Sequence, residues 1–264
     1  MNLNLKGKTA FISGSTSGIG FATATELAQE GAKVILNGRK QKTVDTALLG
    51  LKKKVPNAKV AGIAADFSKA SDLLSLQSKL PHLDILINNV GVYSSKSFFE
   101  TTDDDWQQQF EVNVMSGVRL SRHFLPKMIY AGWGRILFVS SECASLVPPD
   151  LIAYSTTKTA ILSLSRGLAQ LTKGSAVTVN AVIPGSTMTE GADQFLTNLA
   201  KKEAKTKEAT AADFFKKTRT SSLLQRFASV KEVATTITYL ASPLSSATNG
   251  SAINIEGGST GGLF

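Results

Sequence analysis

The amino-acid sequence predicts an α/β fold: one doubly wound domain in which a seven-stranded parallel sheet carries helices on both faces. Short apolar runs rich in β-branched residues alternate with longer helical patterns, and this alternation indicates a parallel sheet covered on both sides. At 264 residues with 42% hydrophobic content, the chain is long enough to bury one such core. No internal repeat, low-complexity tract or Pro/Ser-rich linker indicates a second domain, so we expect residues 1–264 to form one unit.

The predicted strands are, in chain order, TAFIS, KVILN, VAGIAAD, LDILINN, GRILFVSS, VTVNAVIPG and SAINIEGG. Doubly wound sheets bind ligands beyond the carboxyl ends of their strands, where the strand order reverses. We therefore expect the chemistry of the protein to lie where these runs end.

Composition and charge exclude several other classes of protein. The net charge is +9, but the basic residues are scattered, and the one dense run, Lys52–Lys54, falls in a helical pattern that ends near Pro56. We interpret that run as a solvated helix face and expect no nucleic-acid partner. The single cysteine, Cys143, and two isolated histidines offer no metal-ligand cluster.

The sequence also bears on location. No window approaches 18 consecutive apolar residues, and the segment Met1–Lys8 is too polar and too short for a signal peptide. Neither a membrane span nor secretion is indicated, and we expect a cytoplasmic protein.

A glycine-rich segment, SGSTSGIG, follows the first predicted strand and precedes a helix. Glycines lack a Cβ atom, so backbone N–H groups and the helix N-terminus can approach a phosphate closely. The pattern is typical of the dinucleotide site of a Rossmann-type fold, although glycine turns also follow strands for conformational reasons alone. The candidate cofactor contacts in this segment are Gly14, Ser15, Ser17, Gly18, Ile19 and Gly20.

The second predicted strand ends in NGRK, and this ending favours NADP(H) over NAD(H). A site selective for NAD usually places an acidic residue here against the ribose hydroxyls. The sequence instead has Asn37, followed by the cations Arg39 and Lys40, which suit a ribose 2′-phosphate. Two ordinary surface cations would look the same, and Ser17 stands where a basic residue in the glycine segment would have supplied a second phosphate contact. NAD(H) therefore stays open as the alternative cofactor.

Seven fragments together resemble the short-chain dehydrogenase/reductase family. They are SGSTSGIG, AADF, INNVG, FEVNV, VSS, YSTTK and NAVIPG, which fall in the order and spacing of that family along nearly the whole chain. The chain length and the glycine spacing resemble the single-domain reductases rather than the longer sugar-nucleotide epimerases.

The resemblance implies a catalytic tetrad of Ser141, Tyr154, Lys158 and Asn113. In the family's reaction, Tyr154 would exchange a proton with the substrate oxygen, Ser141 would orient that oxygen, Lys158 would hold the nicotinamide ribose, and Asn113 would position a relay water. Because Tyr154 and Lys158 share one helix face, we expect the ammonium to lower the pKa of the phenol. In isolation the pair would also fit a packed Tyr beside a Lys that extends to solvent.

The resemblance further implies cofactor contacts after the later strands. They are Asp66 and the Phe67 backbone near the adenine, Asn89 and Gly91 beside the adenosine ribose, and Pro184, Gly185, Thr187 and Thr189 around the nicotinamide, with Tyr154 and Lys158. Three positions depart from the family pattern, namely Ser13, Val90 and Thr187. We expect them to affect cofactor affinity rather than activity.

The expected function is hydride transfer between NADP(H) and a carbonyl or secondary alcohol, most simply a ketoreductase. An NAD-dependent alcohol dehydrogenase is an alternative that would share every catalytic residue. A non-catalytic NADP(H)-binding scaffold is a further hypothesis, which the intact tetrad disfavours. The expected partner is a small carbonyl or alcohol compound. The family resemblance suggests a homotetramer or dimer.

Residues 190–226 form a long connection that the resemblance identifies as a lid over the substrate pocket. Its apolar residues predict two short helices with their apolar sides on the pocket; they are Phe195, Leu196, Leu199, Phe214, Phe215, Leu223 and Leu224. The segment also holds eight basic residues against five acids, which we interpret as outward-facing and solvated. We therefore expect a mainly apolar, neutral carbonyl substrate, and we expect Cys143 to be a small buried residue.

Overall fold

Seven parallel strands form the main sheet of the computed structural model, which describes residues 2–262, with Ala70 described by its backbone alone. Met1, Leu263 and Phe264, which the predicted domain includes, lie outside the described residues. The strands are β1 (Thr9–Ile12), β2 (Lys33–Gly38), β3 (Val60–Ala64), β4 (Ile85–Asn88), β5 (Gly134–Val139), β6 (Val177–Pro184) and, last in the chain, β9 (Ala252–Ile255). The sequence-predicted strands are thus confirmed.

The remaining elements connect these strands. The helices are α1 (Gly18–Gln29), α2 (Gln41–Lys54), α3 (Ala70–Lys79), α4 (Asp103–Phe110), α5 (Ser116–Tyr130), α6 (Cys143–Leu146), α7 (Ile152–Gln170), α8 (Glu190–Glu203), α9 (Lys207–Lys217) and α10 (Val230–Leu240). A π-helical segment, Glu111–Met115, joins α4 to α5, and 3-10 turns cover Phe98–Glu100 and Pro243–Ser245.

A second, small sheet was not predicted. Strands β7 (Thr187–Met188) and β8 (Ala228–Ser229) pair in parallel, and they bring together the two ends of residues 190–226, the predicted lid segment. Two-residue strands are too short to show any periodicity, so the sequence carries no signal for them.

The strand order β3-β2-β1-β4-β5-β6-β9 reverses direction between β1 and β4. From β1 the chain moves outward through β2 to β3, and it then crosses back to β4 on the other side of β1. This switch opens a crevice at the carboxyl ends of β1 and β4, where open α/β sheets bind their ligands.

Two apolar layers hold helices against the sheet. On one face, Leu27 of α1 and Ile237 of α10 are fully buried with Leu36 of β2. On the other face, Phe124 of α5 and Ile161 of α7 pack in the cluster that contains Phe138 of β5 and Phe11 of β1. Full burial of such side chains contributes about 1.5–3 kcal/mol each, so these contacts stabilise the packing of the helices on both faces of the sheet.

Helix ends follow ordinary capping chemistry. Thr102 and Asp105 form a capping box at the start of α4, and Ser229 and Glu232 form another at α10. The basic run Lys52–Lys54 lies exposed in the last turn of α2, where cations are favoured by the helix dipole. Its interpretation as a solvated helix face is therefore confirmed.

Candidate functional site

A cleft of about 950 Å³ lies beyond the carboxyl ends of the central strands. One end is lined by the glycine loop between β1 and α1, including Ser17, Ile19 and Gly20. The other end is lined by α7, by the loops after β5 and β6, and by the lid segment. The cleft therefore joins the predicted cofactor site to the predicted substrate site.

Helix α7 brings Tyr154 and Lys158 to the same wall of this cleft. Lys158 is 3% exposed, and its Nζ donates a hydrogen bond of 2.9 Å to the Val139 carbonyl at the end of β5. The Tyr154 ring meets Tyr93 edge-on, with ring centroids 5.7 Å apart. Ser141, two residues beyond β5, also lines the cleft, and its Oγ accepts a hydrogen bond of 3.2 Å from the Cys143 N–H.

The expected lowering of the Tyr154 pKa is wrong for this structure. Burial raises the pKa of Tyr154, the charge of Cys143 raises it further, and the Ser141 hydroxyl opposes the rise only in part. The Lys158 ammonium donates to the Val139 carbonyl and lies 5.5 Å from the centroid of the tyrosine ring. Burial also lowers the pKa of Lys158 to about 8. Desolvation thus outweighs the attraction that the spacing of the two residues suggests.

Asn113 lies in the π-helical segment and is 4% exposed. Its Oδ1 accepts from the Val92 N–H at 2.8 Å, and its Nδ2 donates to the Val92 carbonyl at 2.9 Å and to Thr157 Oγ1 at 3.0 Å. The side chain therefore ties the loop after β4 to α7, next to Lys158. π-Helical segments occur often at functional sites, and the water-positioning role of Asn113 stays a prediction.

The glycine loop is built as a cradle at the N-terminus of α1. Gly18 has φ +57°, in the left-handed region that favours glycine, and a Cβ atom on Gly20 would lie 2.5 Å from Asn89 Nδ2. The Gly18 N–H donates a 2.9 Å hydrogen bond to a carboxylate oxygen of Glu190, the first residue of α8. This N–H already holds an anionic group, so the loop fits the phosphates of a dinucleotide.

Polar side chains around the loop are bonded to the loop itself. Asn37 Oδ1 accepts from the Gly14 N–H at 3.0 Å, and Asn89 Nδ2 donates to the Ser13 and Gly14 carbonyls at 2.9 Å. Ser15 is fully buried, with its hydroxyl donating to the Ile12 carbonyl and its N–H to the Asn37 carbonyl. In this structure these residues shape the loop, and direct contacts of their side chains with a cofactor stay a prediction.

Ser13, the first departure from the family pattern, performs a similar task. Its hydroxyl accepts from the N–H groups of Asn89 and Val90 at 2.9 and 3.0 Å. The hydroxyl thus joins the end of β1 to the end of β4, and the substitution leaves this link in place.

The cations after β2 are exposed. Among residues 2–262, neither Arg39 nor Lys40 has a salt bridge or a side-chain hydrogen bond. Asp66 follows β3 nearby. Burial raises its pKa, but hydrogen bonds from Ser68 and the charges of Lys69 and Arg39 outweigh that effect and lower the pKa. The Phe67 side chain belongs to the core, which leaves only its backbone for a ligand.

The predicted nicotinamide contacts line the cleft together with Gly91; they are Pro184, Gly185, Thr187 and Thr189. Two of their hydroxyls are used within the chain. Thr187 Oγ1 donates to the Gly185 carbonyl at 2.8 Å, and Thr189 Oγ1 caps α8 by accepting from the Ala192 N–H at 3.2 Å.

Comparison with known proteins identifies the family. The family described as short chain dehydrogenase matches residues 8–200. The chain is 48% identical over 261 residues to the uncharacterized oxidoreductase YvrD of Bacillus subtilis, with 98% of both proteins covered. It is 30% identical over 262 residues to the 3-oxoacyl-(acyl-carrier-protein) reductase FabG of Aquifex aeolicus, covering 98% of this chain and 99% of that protein.

A solved structure agrees. The L-sorbose reductase of Gluconobacter frateurii, complexed with NADPH and L-sorbose, matches with a TM-score of 0.93 and 30% identity over 100% of both chains. The chain belongs to the short-chain dehydrogenase family. It is therefore an oxidoreductase that acts on hydroxyl or carbonyl groups with a nicotinamide cofactor. None of the helices within residues 2–262 combines the length and apolarity that a membrane crossing requires.

Sequence reasoning missed one charged pair in the cleft of this short-chain dehydrogenase. Glu142, directly after Ser141, is 3% exposed and pairs with Arg219 of the lid segment, with Nε and Oε1 2.7 Å apart. The only signal was an acidic residue in the otherwise uncharged run SSECASL after a buried strand. Cys143, next in sequence, is buried as expected and also lines the cleft.

The lid segment of this short-chain dehydrogenase contains two helices, α8 and α9, as the sequence predicted. Phe195 and Phe214 line the cleft, whereas Leu196 and Phe215 are buried beneath. Leu223 and Leu224 differ from the expectation, because neither lines the cleft. Leu223 is 84% exposed and lies against Gly258, and Leu224 lies against Gly257. Lys205, Lys207 and Arg226 pair with acids outside the cleft. The expectation that all the basic residues of this segment face outward is wrong for two of them, because Lys217, which pairs with Asp213, and Arg219 both line the cleft.

Proposed function

We propose that this protein is an NADP(H)-dependent ketoreductase that transfers a hydride between the cofactor and a carbonyl compound. The observation that carries the proposal is the convergence of Ser141, Tyr154 and Lys158 on one cleft whose other end is the glycine loop. Two similar proteins are named as reductases, and one of them was solved with NADPH.

When bound, the nicotinamide supplies the hydride for the carbonyl carbon. Tyr154 donates the proton to the carbonyl oxygen, and its raised pKa keeps the phenol protonated until that oxygen becomes strongly basic. Ser141 donates a hydrogen bond to the same oxygen and stabilises the charge that develops there. The ammonium of Lys158 holds the nicotinamide ribose and resupplies the proton.

Asn113 acts next to Lys158. Its amide fixes Val92 and Thr157, and Thr157 precedes Lys158 on α7. We propose that Asn113 positions a water molecule through which protons pass from solvent to Lys158. Its tight bonding to two elements supports a role that needs a fixed position.

The preference for NADP(H) rests on the end of β2. Arg39 and Lys40 are exposed cations, and no acidic side chain follows β2 where one would repel a 2′-phosphate. Gly14, Gly18 and Gly20 would let the loop approach the pyrophosphate, while Asp66 and Asn89 flank the adenosine side. Tyr154, Lys158, Thr187 and Thr189 would surround the nicotinamide end.

The proposed substrate is a small neutral carbonyl compound that lies under residues 190–226, which we propose act as a lid. The aromatic rings of Phe195, Phe214 and Phe227 form an apolar part of the cleft. The charge of Arg219 is offset by Glu142, and Lys217 pairs with Asp213. A net anionic substrate would therefore find no uncompensated cation among these residues.

The test is oxidation of NADPH and of NADH by the purified protein with a panel of ketones, diketones and quinones. We expect turnover with NADPH and a lower kcat/KM with NADH. Faster turnover with NADH, or with NAD⁺ and alcohols, would instead assign an NAD-dependent alcohol dehydrogenase. Cofactor binding without turnover across the panel would assign a non-catalytic scaffold.

We further propose that the protein works in the cytoplasm as a homotetramer or dimer, which is the arrangement suggested by the family resemblance. Light scattering of the purified protein measures the assembly directly.

A further inference from the structure

The ion pair between Glu142 and Arg219 is anchored on three segments of the cleft. The side chains of Glu142 and Arg219 are 4% and 12% exposed. Ser186 after β6 donates to Glu142 Oε1 at 3.0 Å, and the Glu142 N–H donates to the Pro184 carbonyl at 2.8 Å. The pair thus joins the loop after β5, the loop after β6 and the lid segment.

A simple clamp would not need charge at this place. Removing two charges from water is costly, and apolar side chains of similar size often hold two segments together at least as well. In addition, Glu142 Oε2 is buried and has no hydrogen-bond partner among residues 2–262. A buried ion pair with an unsatisfied oxygen in a substrate cleft therefore indicates a task beyond joining loops.

The guanidinium of Arg219 has five N–H donors, more than its contacts within residues 2–262 use. Nε donates to Glu142, Nη1 donates to the Thr218 carbonyl, and the guanidinium also lies within hydrogen-bond reach of Cys143. Arg219 lines the cleft along with Ser141 and Tyr154, and its guanidinium carbon lies 5.6 Å from the centroid of the Phe214 ring. A planar fork held on one edge by a carboxylate presents its other edge in a fixed direction.

The pair also lies close to the proposed proton donor. Glu142 is covalently adjacent to Ser141. Burial raises the pKa of Tyr154, and the charges of Cys143, Tyr93 and Glu142 add to this effect, so Glu142 lies within electrostatic reach of the phenol. A substrate whose carbonyl oxygen contacts Ser141 and Tyr154 would therefore place its neighbouring atoms near Arg219.

We propose that Arg219, oriented by Glu142, is a specificity-determining residue that donates hydrogen bonds to a second oxygen of the substrate, adjacent to the reacting carbonyl. The inference rests on the proposed function and narrows it to hydroxyketones, ketoses and vicinal diketones. The second oxygen is neutral, because a substrate carboxylate would compete with Glu142 for the same guanidinium. The rest of the substrate contacts the aromatic residues of the lid.

The experiment compares matched ketones that differ in the second oxygen. The pairs are 1-hydroxy-2-butanone with 2-butanone, and 2,3-pentanedione with 2-pentanone. Steady-state kcat and KM with NADPH are measured for the wild type, Arg219→Met, Arg219→Lys and Glu142→Gln. The matched control is Arg226→Met, since Arg226 is an exposed lid-segment arginine that pairs with Glu232 outside the cleft.

Arg219→Met should lower kcat/KM for the oxygenated member of each pair by about tenfold or more, mainly through KM, and change the plain ketone by less than about threefold. Arg219→Lys should keep part of the preference, and Arg226→Met should keep all of it. Glu142→Gln removes the competing carboxylate, so kcat/KM for 2-oxobutanoate should rise relative to 1-hydroxy-2-butanone. A purely structural clamp would not produce that change.

Equal losses for both members of each pair in Arg219→Met would overturn the inference, while the proposed function would stand. If Arg219→Met does not fold, Arg219→Lys serves as the test variant. An unchanged preference of Arg219→Lys for the oxygenated ketone of each pair also overturns the inference. If the wild type binds NADPH but reduces none of these ketones, the proposed function fails for them and the inference fails with it.

Discussion

The two ends of the cleft are built in different ways. At the proposed cofactor end, the polar side chains of Ser13, Asn37 and Asn89 are bonded to the backbone of neighbouring strand ends. At the proposed substrate end, the charged pair of Glu142 and Arg219 joins residues 77 positions apart in the chain. The first end is fixed by local loops on the sheet, and the second depends on residues 190–226, which contain two helices and line that part of the cleft.

This difference predicts which end of the cleft tolerates changes in sequence. A backbone cradle recognises the phosphates that all dinucleotide cofactors share, so few solutions exist. A substrate wall made from a long inserted segment can be altered without disturbing the sheet. Changes at the cofactor end should therefore alter binding of NADPH, and changes at the substrate end should alter the choice of ketone.

The largest expected effect separates chemistry from cofactor binding. Tyr154→Phe removes the proton donor and should lower kcat by about 10²–10⁴-fold. The dissociation constant of NADPH, measured by fluorescence titration, should stay within about threefold, because the ring is retained. Tyr239→Phe, on α10 outside the cleft, is the control, and turnover by Tyr154→Phe near that of the control would refute the assignment.

Arg39→Ala tests the cofactor end alone. A charge-assisted contact contributes about 1.5–3 kcal/mol, so the dissociation constant of NADPH should rise about tenfold or more while that of NADH changes little. Lys42→Ala, an exposed cation further along α2, should leave both constants unchanged. Equal weakening of NADPH and NADH would show that Arg39 does not contact the 2′-phosphate.

The pKa of Lys158 predicts a falling limb in the pH profile. Burial lowers that pKa to about 8, so the ammonium is present below about pH 8 and is lost as the pH rises. Tyr154 and Cys143 face the ammonium, and burial raises the pKa of both, so neither ionises before Lys158 loses its proton. The kcat/KM for NADPH should fall about tenfold per pH unit above pH 8. A profile flat to pH 10 would contradict this account.

Phe195→Ala and Phe214→Ala test the substrate end. Each removes an aromatic ring from the wall of the cleft, which should change the relative kcat/KM of bulky and small ketones by several-fold. The dissociation constant of NADPH should stay within about twofold. Phe99→Ala, whose side chain is 95% exposed away from the cleft, is the control. An equal loss of kcat/KM with every ketone would show that these rings support the folded structure and do not select the substrate.

The smallest effect concerns a hydrogen bond between residues 190–226 and the glycine loop. Glu190 accepts the hydrogen bond from the Gly18 N–H, so it competes with any phosphate for that donor. Glu190→Gln should tighten NADPH binding about two- to fivefold, since a charge at a helix N-terminus contributes about 0.3–1 kcal/mol. Glu208→Gln makes the same charge change on α9 and should leave binding unchanged. Weaker binding in Glu190→Gln would contradict the competition.

The two ends of the cleft also differ in how much of each the sequence could predict. The strands, the glycine loop and the wall containing Tyr154 and Lys158 depend on short local patterns, and the structure confirms the elements that carry them. The predicted lowering of the Tyr154 pKa was wrong, because spacing on a helix indicates that two residues are close but carries no information about their desolvation. The pairing of Glu142 with Arg219 joins distant segments, and the two-residue strands β7 and β8 have no periodicity to detect.

The proposed activity requires that a hydride pass from NADPH to a carbonyl carbon. The most direct measurement uses NADPH deuterated at C4 of the nicotinamide, in both stereochemical forms, with 1-hydroxy-2-butanone and 2-butanone. Mass spectrometry and NMR of the alcohol should find deuterium on the carbinol carbon from one of the two labelled forms, and none with Tyr154→Phe beyond its residual turnover. Binding of NADPH without transfer of deuterium from either form to any ketone of the panel would contradict the account.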